Sequence, residues 1–164
     1  MKKFFKYSLY GLIYIVIIFF FAIMFIVTAK AELIKPNNFI QPHQVVKIQL
    51  TSLMKNDDPK QNNGIKQTWE FAHPNNQRYT GPLERFILML KGDSYKMLLN
   101  HLEHNIVELE LTNNTAIYEV KVLSKKKAYY KLNWQVEKYE KSGVLKDCWL
   151  TTMVSAPVPL GSSI

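Results

Sequence analysis

His101-Leu102-Glu103-His104 sets two imidazoles three residues apart, a spacing that on a helix puts both on one face and begins a metal site. A third ligand would have to come from His73, His43 or a distant acid, and the run is not the His-Glu-x-x-His of zinc proteases. No metal or other cofactor is therefore expected. Proton transfer needs an inward ionisable group with a shifted pKa, and Asp57, Asp58, His73 and Asp147 are the candidates. Asp57-Asp58-Pro59 reads first as a helix stop. Asp147 shares strand parity with Leu145, Trp149 and Thr151, so it faces inward if Trp149 does. None has a partner at motif spacing, and there is no glycine-rich phosphate loop, nucleophile elbow or Cys-x-x-Cys pair. A small enzyme of isomerase or dehydratase type, with His73 or Asp147 as base, is thus the alternative to a binding or interaction module.

The residues suited to binding are more numerous. Phe71-Ala72-His73-Pro74-Asn75-Asn76, continued by Arg78, Tyr79, Thr80 and Gly81, is the richest polar stretch of the chain and reads as a loop, where binding residues concentrate. The same residues have structural roles to hand: Pro74 to end a helix, Asn75 or Asn76 to form an Asx turn, Thr80 to cap the next helix, Glu84 or Arg85 to fasten the loop. Phe86, Tyr118, Tyr130, Trp134 and Trp149 would fill the interior, and space left between them would be an apolar pocket. Ligand contacts are accordingly expected at Phe71, His73, Asn75, Arg78, Phe86, Tyr118, Tyr130, Trp134 and Trp149.

The elements that must carry these residues begin after a leader. Tyr7 to Ala29 holds no charged residue, and Leu9 to Val27 is long enough as a helix to cross ~30 Å of hydrocarbon. Lys2, Lys3 and Lys6 precede it, which keeps the N-terminus cytoplasmic and exports the remainder of the chain. Residues 1–31 are expected to be a single-pass anchor or, with cleavage after Ala31, a signal peptide. Half of the formal charge of +8 belongs to Lys2, Lys3, Lys6 and Lys30, so the rest is only mildly basic and no nucleic-acid partner is expected. Cys148 is the single cysteine, so the exported domain has no internal disulfide.

Residues 32–41 show no period and read as a linker; the domain spans 42–156, and 157–164 is expected to fray as a flexible tail. Val46, Leu50, Leu53 and Met54 recur at helical spacing after Pro42. A shorter helix carries Ile65, Trp69 and Ala72, and another runs from about Pro82 to Lys91, stopped by Gly92. Tyr95, Leu98 and Leu99 suggest one more turn. Beyond Leu102 the period becomes two. Val107, Leu109 and Leu111 alternate with Glu108 and Glu110, Asn113-Asn114 turns the chain, and Tyr118, Val120 and Val122 return. Tyr130, Leu132, Trp134 and Val136 line a third strand with Lys131, Asn133 and Gln135 on its other side, and Val144 to about Ser155 forms a fourth. Lys125-Lys126-Lys127 sits at a turn. The fold expected is α+β, with N-terminal helices packed on a curved antiparallel four-stranded sheet.

Trp69 to Asn76, followed by Thr80-Gly81-Pro82-Leu83-Glu84-Arg85-Phe86, Tyr95 and the late Trp149, resembles an uncharacterised bacterial and plastid domain family with a cystatin-like, nuclear transport factor 2-like fold. The resemblance covers about residues 42–155. It implies a cone-shaped hollow between sheet and helices and assigns no activity, since that architecture hosts isomerases, dehydratases, ligand binders and interaction modules alike. The expected function is an extracytoplasmic module, tethered or secreted, that holds a small hydrophobic ligand or an envelope protein, with a second copy, paired through the sheet, as a further candidate partner.

Overall fold

The computed structural model describes residues 32–162; the leader read from residues 7–29 lies outside them. Among the described residues no helix is long and apolar enough to cross a membrane. The described residues form four α-helices and one 3-10 turn followed by five antiparallel strands, an α+β architecture with the helices packed on an open sheet.

Helix α1 (Pro42–Met54) starts on a proline at its first position, where no amide hydrogen is required, and on a reciprocal Gln41–Gln44 capping box. Its buried stripe is Val45, Val46, Gln49, Leu50 and Leu53. α2 (Asn63–Glu70) lies against it, and the approach is set by Gly64: a Cβ there would stand 2.1 Å from the Ser52 carbonyl oxygen. Asn56, 1% exposed, serves as a remote cap for α2. Its carbonyl and its Oδ1 accept from the Gly64 and Ile65 amides at 2.9 and 3.1 Å.

α3 (Pro74–Thr80) replaces the expected loop over 73–81. Pro74 opens this helix instead of ending the previous one, with His73 at its N-cap. Thr80 does not cap the next helix; its hydroxyl bonds back to the Asn76 carbonyl at 2.9 Å. α4 (Leu83–Lys91) has Pro82 at its N-cap, buries Phe86 and Leu90 and ends at Gly92. The 3-10 turn at Lys96–Leu98 delivers Met97 and Leu98 to the core.

Strands β1 (Glu103–Leu111), β2 (Thr115–Leu123), β3 (Ala128–Lys138) and β4 (Trp149–Val154) are neighbours in that order, and β5 (Val158–Ser162) pairs with the first half of β3. β4 and β5 therefore share one edge of β3, separated by Ser155-Ala156-Pro157. Residues 158–162 are thus a strand and not a frayed tail. The fourth strand starts five residues later than its apolar composition suggests, because Gly143 (φ 129°) and Asp147 (φ 62°) hold residues 143–147 in turns and Val144 in solvent. The helix-facing side of the sheet carries Ala116, Tyr118, Val120 and Val122 of β2 opposite Val136, Trp134, Leu132 and Tyr130 of β3.

On β1 the buried parity belongs to His104 and Ile106, paired with Val122 and Val120. The apolar series Val107, Leu109, Leu111 is exposed instead, and a bulge interrupts it between Glu108 and Glu110.

The α1–α2 contact yields a stability test. Gly64→Ala should lower the unfolding free energy by about 1–3 kcal/mol through overpacking against the Ser52 backbone. Val144→Ala, at a side chain surrounded by solvent, should leave the urea midpoint unchanged.

Candidate functional site

Between the helices and β3–β4 a cavity of about 120 Å³ remains. Its walls are apolar: Leu53 of α1, Phe86, Met89 and Leu90 of α4, Leu98 of the 3-10 turn and Val154 of β4. Its floor is polar. Gln49 Oε1 accepts from Trp134 Nε1 at 3.0 Å and from the Thr151 hydroxyl at 2.6 Å, while Gln49 Nε2 donates to the Thr68 carbonyl at 3.0 Å. Three buried side chains from α1, β3 and β4 thereby meet their hydrogen-bonding needs among themselves and the backbone of α2.

Asn76 and Thr80 of α3 and Tyr95 complete the lining. Asn76 Nδ2 donates to the Thr151 carbonyl at 3.4 Å and the Tyr95 hydroxyl to the Val154 carbonyl at 3.4 Å, both long bonds. The Asn76 Oδ1 and the Tyr95 oxygen thus keep acceptor capacity for an incoming group. Among the described residues, no carboxylate, imidazole or ammonium group lines this cavity.

Of the residues expected to contact a ligand, Phe86 and Trp134 line it. Phe71 and Tyr118 are wholly buried and fill the core beside it, as does Trp149, whose ring also receives Lys138 Nζ 5.1 Å from its centroid. Tyr130 is half-buried and packs against the core cluster. Asn75 and Arg78 are exposed on α3 and bond to each other. Asn76, part of the polar stretch singled out from sequence, lines the cavity, whereas Gln49, Thr68 and Thr151 escaped sequence reasoning. The available signal was Gln49 at i+3 from Val46, inside the apolar stripe of α1.

The two candidate bases lie elsewhere. Asp147 faces solvent in a turn, with its amide donating to the Tyr139 carbonyl at 2.8 Å; the strand parity that would aim it inward fails because no strand exists there. His73 stands at the mouth of a second, polar cleft with Tyr139, Glu137 and Lys141. Its Nδ1 accepts from the Asn75 amide at 3.0 Å, so the ring proton sits on Nε2 and the imidazole presents a donor to the cleft. Burial holds its pKa below the ordinary value, Glu137 opposes this, and Lys141 and Arg78 add to it.

His101 and His104 do meet, though across the start of β1 and not on a helix. His101 Nδ1 lies 2.7 Å from the Leu98 carbonyl and must donate to it; His101 Nε2 then accepts from His104 Nδ1 at 2.8 Å. Burial pushes the His101 pKa down to about 4, against the raising effect of the Leu98 carbonyl. Burial and then Lys47 lower His104. No group of three or more metal-binding side chains is found among the described residues.

Comparisons with protein-family models, with curated proteins and with solved structures find no match to this chain.

The histidine pair makes stability depend on pH. The folded value of His101, about 4, lies below the ordinary 6.5 of an unfolded chain, so the unfolded state binds the extra proton first. Stability is full above pH 6.5 and falls as pH drops toward 4. His101→Asn, which keeps a donor for the Leu98 carbonyl, should flatten that slope in urea unfolding curves; an unchanged slope would assign the effect to other groups.

Proposed function

We propose that this protein is a membrane-tethered, extracytoplasmic binding module whose cavity holds a small apolar ligand. The observation that carries this reading is the cavity itself: aliphatic and aromatic walls, a floor whose polar groups are already partnered, and spare acceptors on Asn76 and Tyr95. A volume of about 120 Å³, below the roughly 150 Å³ that takes benzene, suits a ligand of at most about six non-hydrogen atoms. One hydrogen-bond donor on such a molecule would find Asn76 or Tyr95, and the rest would lie against Phe86, Leu90 and Leu98.

Helices followed by an antiparallel sheet with bulges in the β1, β3 and β4 pairings are consistent with the cystatin-like cone. An isomerase or dehydratase would need an ionisable group in contact with the bound molecule, and both His73 and Asp147 stand outside the cavity. The tether is the uncharged run from Tyr7 to Ala29, with its lysines on the N-terminal side.

Xenon, an apolar probe small enough to enter, tests the cavity by NMR titration. The protein should bind it saturably, and Met89→Trp, which fills the space from α4, should weaken binding by about tenfold or more while leaving the unfolding midpoint near that of the native chain. Equal binding by both proteins would place the xenon elsewhere and remove the cavity as the site.

A further inference from the structure

Residues 32–41 have the composition of a loose linker, yet the structure bolts them to the domain. Ile34 donates its amide to Gln67 Oε1 at 2.7 Å and receives Gln67 Nε2 on its carbonyl at 2.8 Å, and Gln67 is buried in α2. One residue on, Lys35 Nζ stands 2.8 Å from the Glu70 carboxylate. The chain is thus fixed to the domain from Ile34 onward.

The uncharged run ends at Ala29, so only Lys30 to Leu33 separate it from that bolt. The five steps from Ala29 to Ile34 reach at most about 18 Å even fully extended. The headgroup layer is itself about 5–8 Å deep.

The surface beside the bolt has the chemistry of a lipid interface. Phe39 is 84% exposed at the tip of a turn that Asn37 closes, its Oδ1 accepting from the Phe39 amide at 3.1 Å and its carbonyl from the Ile40 amide at 3.3 Å. Next to it a shallow apolar groove runs between Ile34, Ile40 and Ile48. From Leu33 to Asn56 the chain has no acidic residue but carries Lys35, Lys47 and Lys55; Lys35 is paired with Glu70, which leaves Lys47 and Lys55 to meet lipid charge. Another exposed apolar series, Val107, Leu109 and Leu111 on β1, is interleaved with Glu108 and Glu110 and would be repelled by anionic lipid.

We propose that the face made by residues 34–40 and the outer side of α1 lies on an anionic membrane surface, with the Phe39 ring among the headgroups. This inference rests on the membrane-tethered reading of residues 7–29. An exposed aromatic on a face that also carries Lys47 and Lys55 gains from both the interfacial apolar environment and the lipid charge, and the short bolted tether removes most of the entropy cost of the contact.

The test uses the full chain in nanodiscs of mixed phosphatidylcholine and phosphatidylglycerol, with a nitroxide on Phe39→Cys or, separately, on Val144→Cys, and the unsubstituted chain as background for buried Cys148. At position 39 the ratio of oxygen to nickel-chelate collisions should be several-fold higher than at 144, and should fall when phosphatidylglycerol is left out. Embedded protein whose position 39 is as water-accessible as position 144 would overturn the membrane face and leave the tether standing. A chain that does not enter nanodiscs at all would overturn both.

Discussion

The fold depends on an amide buried where a helix would ordinarily place an aliphatic side chain. Gln49 sits in the stripe of α1 at 1% exposure, and a buried amide costs several kcal/mol unless its hydrogen bonds are made. It makes them with Trp134 on β3, Thr151 on β4 and the Thr68 carbonyl on α2. Sliding or rotating α1 by a residue would orphan the Gln49 amide and the Trp134 indole together, so one polar cluster fixes how the helical layer sits on the sheet. The cavity is the space left beyond this cluster, where α4 and the 3-10 turn do not reach Trp134.

A second constraint closes the sheet near that space. The Thr151 amide donates to the Phe71 carbonyl and the His73 amide to the Thr151 carbonyl, each at 2.8 Å, so residues 71–73 run beside β4 as a parallel bridge. That bridge covers the β4 edge and aims α3 across the cavity, bringing Asn76 and Thr80 to its rim. β1, at the other side of the sheet, stays open and is blunted by its bulge and by Glu108 and Glu110.

Elements with a regular apolar period were legible from residues alone. α1, α2 and α4 follow the 3.6 spacing, and β2 and β3 the alternation, because burial on one face selects those patterns; β1 alternates as well, but its apolar parity faces solvent. α3 was hidden because it buries no residue and so leaves no stripe to read; its only signal was Pro74, equally at home at a helix start. β5 was hidden by Pro159 and Gly161, which suit turns but are tolerated on a strand at the sheet margin. The reverse error occurred at Val144 and Leu145, strand-like by type but held in turns by the positive φ of Gly143 and Asp147. At the site, Phe86 and Trp134 were legible as large aromatics, whereas Gln49 and Thr151 were not, since polar residues reveal their burial only through partners distant in sequence.

In the proposed function, the space above the Gln49–Trp134–Thr151 cluster is made to be occupied. Native mass spectrometry of the protein, purified gently from the cells that make it, is the direct test. The expected result is a population heavier than the chain by one small organic molecule, released when the protein unfolds. A spectrum holding only the bare chain, under conditions that keep the fold intact, would contradict it.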